Sequence, residues 1–188
     1  MPSTMMHLFA AYEYNENGSP LYFIGSVSPD ALEEWHAKDK THFRDREDRE
    51  KALLELAEVT DKKDDFAMGT LLHLFLDWRW DEEFMFPYKQ KIGDESWFRA
   101  YRTEISVGGS WLHYKLPYSE LIWRKMLDFE VSCYGETQGV SKQEVNHYLI
   151  RTYTWLQSAG RKEPEIFTPD DIFSFIYRSV DRFRKFLI

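Results

Sequence analysis

Three side chains in the middle of the chain have the types and spacing of an acid/base or metal-binding site. His73, Asp77 and Asp81 recur every four residues, so on a helix they lie on one face. One carboxylate can hold a histidine in a single tautomer while a second carboxylate moves a proton, and the same groups can ligate a metal. A histidine and an aspartate one helical turn apart more often form a simple polar pair, so the stripe alone does not predict an enzyme.

Other catalytic signatures are missing from the sequence. HExxH, GxxxxGK[ST] and GxGxxG do not occur, and a single cysteine, Cys133, rules out a cysteine-based zinc site. Cys133 falls on the apolar stripe of a predicted helix, which predicts a buried and unreactive thiol. The sequence therefore predicts no cofactor and no metal. An acid/base or hydrolytic enzyme using His73, Asp77 and Asp81 is an alternative function.

The stretch that carries the polar stripe, residues 66–86, is the most apolar continuous segment of the chain. On a helix its apolar residues cover nearly the whole circumference, which is typical of a buried helix. Apolar and polar residues also alternate over residues 70–80, so a strand remains an alternative there. Leucine content, a capping aspartate at Asp64 or Asp65, and Pro87 at the far end favour the helix.

Two other regions have the pattern of β-hairpins. Residues 7–14 and 21–27 read as two strands joined by a turn-rich loop, residues 15–20. Residues 101–116 read as a second hairpin, because Gly108-Gly109 suits a two-residue turn. Its register gathers the apolar residues on one face. The opposite face of this second hairpin carries Glu104, Trp111 and His113.

The remaining segments are predicted to be helical. Ser28-Pro29 opens a helix that buries Leu32 and Trp35. Residues 117–134 form an apolar stripe at helical spacing, a capping box starts a helix at Ser141, and Thr168 caps the last one. The predicted fold class is therefore α+β: two antiparallel β-hairpins form a small sheet, with about five or six helices packed on one face. Residues 1–188 are predicted to be a single globular domain.

Charge and composition bound the partners. Acidic residues outnumber basic ones 32 to 24, and the net charge of −8 argues against direct nucleic-acid binding. No apolar run is long enough for a membrane span. A single cysteine and the lack of a signal-like N-terminus predict a cytoplasmic protein. The sequence leaves the oligomeric state open.

The leading prediction for function is a non-enzymatic, acidic protein-binding module of the inhibitor, immunity or adaptor type. Its 7 Trp, 11 Tyr and 14 Phe exceed what one core requires, and its charge suits an electropositive protein partner. The predicted binding residues are Trp111, His113, Glu104, Asp81, Glu82 and Glu83. A further alternative, a nucleic-acid mimic, requires one contiguous acidic surface. That surface would contain Asp61, Asp64, Asp65, Asp81, Glu82 and Glu83.

Overall fold

Helices account for 71% of the chain in a computed structural model that describes residues 1–188, the side chain of Trp35 excepted. The first half contains α1 (Thr4–Tyr14), α2 (Pro20–Gly25), α3 (Trp35–Thr41), α4 (Arg49–Val59) and α5 (Asp65–Trp80). The second half contains α6 (Phe86–Ile92), α7 (Trp97–Lys115), α8 (Ser119–Leu127), α9 (Lys142–Ser158) and α10 (Pro169–Phe186). Ser28–Ala31 and Val131–Cys133 form 3₁₀ turns, and Asp81–Met85 forms a π-helical turn.

The predicted α+β class is wrong, because the described residues form no sheet and contain only an isolated bridge between Thr137 and Val140. Residues 101–116 lie in α7, where Gly108 and Gly109 serve packing rather than a turn. A Cβ atom at Gly109 would lie 2.8 Å from the Cβ atom of Ser3. These two glycines therefore let the start of the chain approach the backbone of α7.

The first predicted hairpin is a pair of helices. The Ser3 hydroxyl accepts a hydrogen bond from the amide of Met6 at the start of α1, and the Ser19 hydroxyl caps α2 in the same way. Pro20 then occupies the first turn of α2, where its missing amide costs nothing. Residues 15–20, which were interpreted as a turn between two strands, instead connect the end of α1 to the start of α2.

The central segment is a buried helix, as predicted, and Asp64 caps it by accepting from the amide of Ala67. α2 crosses α5 with the two backbones in contact: a Cβ atom at Gly69 would lie 2.1 Å from the carbonyl oxygen of Tyr22. Pro87 does not end the helical path, because the chain continues through the π-helical turn into α6. Neither α5 nor any other described helix has the length and apolar character to cross a membrane.

In the C-terminal half the predicted capping box at Ser141 and the predicted cap at Thr168 are both present, and Thr168 also forms a capping box with Asp171. α8 ends at Leu127, so Cys133 lies beyond it in a 3₁₀ turn and is exposed. The predicted burial of Cys133 is therefore wrong. The predicted burial of Trp35 concerns a side chain outside the described residues.

Candidate metal centre

Five buried polar side chains from four elements meet against α5. They come from α1, from the 3₁₀ turn after α2, from the C-cap of α3, and from two successive turns of α5. Each is at most 8% exposed. The five residues, called the His/Asp cluster below, are His7, Asp30, His42, His73 and Asp77.

Helix packing brings these residues together. α1 and α5 pack directly, so the imidazole of His7 stacks on that of His73, with ring centroids 3.8 Å apart and an interplanar angle of 13°. His73 and Asp77 are one turn apart on α5 and point to the same side. Asp30 and His42 approach from the segments that follow α2 and α3.

Hydrogen bonds to the backbone fix the tautomers of two histidines. His42 Nδ1 lies 2.8 Å from the carbonyl oxygen of Lys38, and His73 Nδ1 lies 2.9 Å from that of Ser26. A carbonyl oxygen only accepts, so each Nδ1 carries the proton and donates it. The Nε2 atom of each neutral ring is then an unprotonated lone pair.

These two Nε2 atoms face each other at 3.2 Å. Burial lowers the pKa of His42 to about 4 and the pKa of His73 well below its ordinary value, so both rings are neutral near pH 7. No proton is left to join the two nitrogens. Two lone pairs at this separation repel each other, and a cation bound to both would turn the repulsion into coordination.

Carboxylate oxygens complete the arrangement. Asp77 Oδ2 lies 3.5 Å from His42 Nε2, and Asp77 Oδ1 lies 3.3 Å from His7 Nε2. Asp30 Oδ1 lies 3.7 Å from His42 Nε2 and 4.0 Å from His73 Nε2. Ligand atoms around a tetrahedral zinc ion are about 3.3 Å apart, given metal–ligand bonds of about 2.0–2.1 Å. The separations among His7, His42, His73 and Asp77, 3.2–3.5 Å, are close to that value, whereas Asp30 Oδ1 lies farther away, at 3.7–4.0 Å.

The protein leaves several of these atoms without a hydrogen bond. Among the described residues, His7 Nδ1 has no hydrogen-bond partner, and His7 Nε2 and Asp77 Oδ1 have only their mutual contact at 3.3 Å, which falls short of hydrogen-bond geometry. A buried polar atom without a partner costs about 1–3 kcal/mol. His7, Asp30 and His73 can hold a metal ion together, and so can His42, His73 and Asp77. A bound ion would satisfy atoms that the fold itself does not.

Both acids of the cluster are ionised. Burial alone would raise the pKa of Asp77, but His7, His42 and Arg44 hold that pKa well below its usual value. Burial is likewise outweighed at Asp30, whose pKa is lowered by Lys38 and His73. The Lys38 ammonium lies 2.7 Å from Asp30 Oδ1. The cluster therefore offers two carboxylates and three imidazoles, a set suited to zinc and to other divalent transition metals.

Asp81 does not contact the histidines, although His73, Asp77 and Asp81 were predicted to form one site on a shared helix face. Asp81 Oδ2 accepts from Arg44 Nε and Arg49 Nη1, each at 2.8 Å, and so binds arginines rather than histidines. Arg44 also donates to Asp77 Oδ2 at 3.2 Å. Asp81 therefore acts through Arg44, which connects it to the cluster and fixes one oxygen of Asp77.

One backbone feature allows this arrangement. Phe43 has a φ of 55°, in the left-handed region that a residue with a bulky side chain rarely adopts. It lies between His42 and Arg44, and the reversal of the chain at Phe43 directs both neighbours toward Asp77. Strained backbone of this kind clusters at functional sites.

A cavity of about 440 Å³ opens beside the cluster. Asp30 and Lys38 lie in its wall, while α7 and α9 supply much of the rest. Its size falls in the range of small-molecule sites, which is roughly 300–1,000 Å³. A molecule in this cavity would contact Asp30 and so lie next to any ion that the cluster holds.

The residues predicted to bind a partner do not form a hairpin face. Trp111 is 8% exposed and packs edge-on against Phe173, with ring centroids 5.9 Å apart. His113 is buried, and its Nδ1 lies 2.8 Å from the hydroxyl oxygen of Ser119. Glu104 accepts from the backbone amide of Ile166 at 2.5 Å. All three of these predicted residues lie on α7.

The predicted acidic residues are also divided. Asp81 is fully buried, whereas Glu82 is exposed. Glu83 is partly buried and bridges to the last helix through Arg178, 3.0 Å away, and Arg182. The structure therefore does not bring Asp81, Glu82 and Glu83 together on one open surface.

The sequence interpretation missed His7, Asp30 and His42, because these ligands are far apart in the chain. His7 had one usable signal: like His73, it is a single histidine inside an apolar run, MMHLFAA, which indicates a buried polar group. Asp30 and His42 lie in polar surroundings, where nothing in the local pattern distinguishes a ligand from a solvated side chain.

The chain matches no protein-family model, and no curated protein or solved structure is significantly similar to it. The geometry of the His/Asp cluster is therefore the evidence on which a proposal about function rests.

Proposed function

We propose that the chain is a divalent-metal-dependent hydrolase whose metal is held by the His/Asp cluster. The observation that carries this proposal is the pair of unprotonated Nε2 atoms of His42 and His73, facing each other at 3.2 Å. Asp77 is the third ligand, and the fourth position of a tetrahedral zinc site would stay open to water, with His7 and Asp30 beside it. Nitrogen and carboxylate donors at these separations favour zinc.

Hydrolysis is the reaction that this arrangement supports best. A zinc ion lowers the pKa of a bound water to about 7 and so supplies hydroxide near neutral pH. Asp30 borders both the cluster and the cavity, so its carboxylate is placed to orient a nucleophile toward a molecule in the cavity. Lys38 at the same end pairs with Asp30 at 2.7 Å and so holds that carboxylate in position.

The test is metal-dependent turnover by the purified protein. The protein is stripped with a chelator, reloaded with one equivalent of Zn²⁺ or Mn²⁺, and assayed with 4-nitrophenyl phosphate, bis-4-nitrophenyl phosphate and 4-nitrophenyl acetate. We expect turnover of at least one ester that chelation abolishes and metal restores. His42→Ala should lose it, whereas His147→Ala, on the exposed side of α9, should keep it.

Equilibrium metal binding separates the two parts of the proposal. A protein that binds one Zn²⁺ through the cluster but hydrolyses none of the three esters would retain the metal centre and lose the hydrolase assignment. If wild-type protein and His42→Ala bind zinc equally, the metal centre itself is ruled out.

The hydrolytic alternative from the sequence is thus retained with changed residues: His73 and Asp77 stay, and Asp81 becomes a supporting group. Burial removes Trp111 and Asp81 from the predicted binding surfaces, and the protein-binding module and the nucleic-acid mimic stay predictions that rest on the sequence. A cytoplasmic location remains a proposal that rests on the single cysteine.

A further inference from the structure

The cavity beside the cluster is lined by three cationic side chains, and two of them already have anionic partners. Lys38 pairs with Asp30 at 2.7 Å, and Arg151 pairs with Glu33. The third cationic side chain, Arg102, has no such partner among the described residues. Among the side chains that the structure describes, no carboxylate forms an ion pair with its guanidinium, although its backbone carbonyl accepts from the Ser106 hydroxyl.

Arg102 also lies where two cavities meet. It is exposed on α7 and lines both the 440 Å³ cavity and a second one of about 230 Å³. Met1 is the other residue common to the two linings. The second cavity contains Arg44, Lys89 and the indole of Trp97. A ligand that starts at Asp30 and extends away from the cluster therefore reaches a guanidinium.

An unpaired arginine here has a clear electrostatic use. The protein carries a net charge of −8, which repels anionic ligands at long range. A local cation offsets that repulsion, and a guanidinium can bind a carboxylate or a phosphate through two parallel hydrogen bonds.

We propose that Arg102 is a specificity-determining residue, which anchors an anionic group of the substrate that is separate from the reacting group. The substrate class is then a doubly functional molecule, with a hydrolysable group at the cluster and a carboxylate or phosphate at Arg102. This inference rests on the proposed hydrolase function, and it is tested by binding rather than by turnover.

The probes are alkylphosphonates of increasing chain length, each prepared with a terminal carboxylate and with a terminal methyl group. The phosphonate cannot be hydrolysed, and it provides the oxygen atoms for the cluster end. Dissociation constants are measured by calorimetry on zinc-loaded wild-type protein, Arg102→Gln and Arg99→Gln. Arg99 is exposed on the same helix and lies outside both cavity linings, so Arg99→Gln is a matched control for loss of one positive charge.

At one chain length we expect the carboxylate to tighten binding to the wild-type protein by about tenfold over its methyl counterpart, as for one charge-assisted hydrogen-bonded pair. Arg102→Gln should reduce that ratio to about one, and Arg99→Gln should leave it unchanged. A wild-type ratio near one at every length, or a ratio retained in Arg102→Gln, would overturn the inference. Either of these results would leave the hydrolase proposal unaffected. If the expected ratios were found in a protein without esterase activity, the role of Arg102 as an anion anchor would be supported and only the hydrolase proposal would be lost.

Discussion

His42 Nε2 and His73 Nε2 lie 3.2 Å apart, and the hydrogen bonds of their Nδ1 atoms leave neither with a proton to share. The two imidazoles reach this position from α5 and from the C-cap of α3, elements that are separated by all of α4. A fold that holds two lone pairs in opposition is prepared for a cation.

Zinc should stabilise the protein through the cluster. At a free zinc concentration about 100 times the dissociation constant, binding to the native state alone adds about 2.7 kcal/mol to the free energy of unfolding. His73→Ala should remove this increment, and the exposed His147→Ala should retain it. Thermal unfolding with zinc and with chelator measures the effect; an equal increment in wild-type protein and His73→Ala would place the zinc elsewhere.

Arg44 should support metal binding without being a ligand. Its guanidinium donates to Asp77 Oδ2 at 3.2 Å and to Asp81 at 2.8 Å, a planar two-acid contact that an ammonium group cannot reproduce. Loss of such a supporting contact typically weakens metal affinity about 10–100-fold. Arg44→Lys should therefore bind zinc at least about tenfold more weakly by calorimetry. Arg46→Lys, an exposed change two residues on, is the control, and matching affinities in the two variants would exclude the supporting role.

How far the sequence predicts the fold depends on how local the signal is. Ser141 with Glu144, Thr168 with Asp171, and the Asp64 cap are contacts within one turn, and all three were predictable. Gly108-Gly109 was misread because the same dipeptide suits a tight turn and a close helix contact. What distinguishes them is Ser3, which is about a hundred residues away and invisible to a local pattern.

The candidate site follows the same rule. His73 and Asp77 were predictable as a pair because one helix carries both. Asp81 continued the stripe, but its partners are Arg44 and Arg49, which come from other elements. His7, Asp30 and His42 join only when α1, the 3₁₀ turn and the end of α3 pack on α5. No spacing rule within a segment can find a site that tertiary packing assembles.

The close crossing of α2 and α5 should depend on glycine. A Cβ atom at Gly69 would lie 2.1 Å from the carbonyl oxygen of Tyr22 and 2.7 Å from the amide nitrogen of Ser26, so the backbones must separate. Alanine gains about 1 kcal/mol of helix propensity, but overpacking of this kind costs about 1–3 kcal/mol or more. Gly69→Ala should therefore lower the free energy of urea unfolding by a net of about 1–2 kcal/mol.

Gly69→Ala should also weaken zinc binding, because the carbonyl of Ser26 orients His73. Gly160→Ala is the control, since a Cβ atom there has no neighbour within 4 Å. If Gly69→Ala proved as stable as Gly160→Ala, the contact between the two backbones would be disproved.

Glu83 should connect the π-helical turn to α10 in a pH-dependent manner. Burial alone would raise the pKa of Glu83, but Arg79, Arg178 and Arg182 outweigh it and hold that pKa below its ordinary value of 4.5. Because the folded-state pKa is the lower one, the stabilisation is fully present above pH 4.5 and is lost as the pH falls through the folded pKa.

Glu83→Gln should therefore cost about 1 kcal/mol at pH 7, as for a partly exposed ion-pair network. The difference from wild-type protein should shrink toward zero in urea unfolding experiments carried out progressively below pH 4.5. Glu82 is exposed, so Glu82→Gln is the control and should change the free energy of unfolding little at either pH. If the loss of stability in Glu83→Gln stayed constant below pH 4.5, it would come from packing rather than from charge.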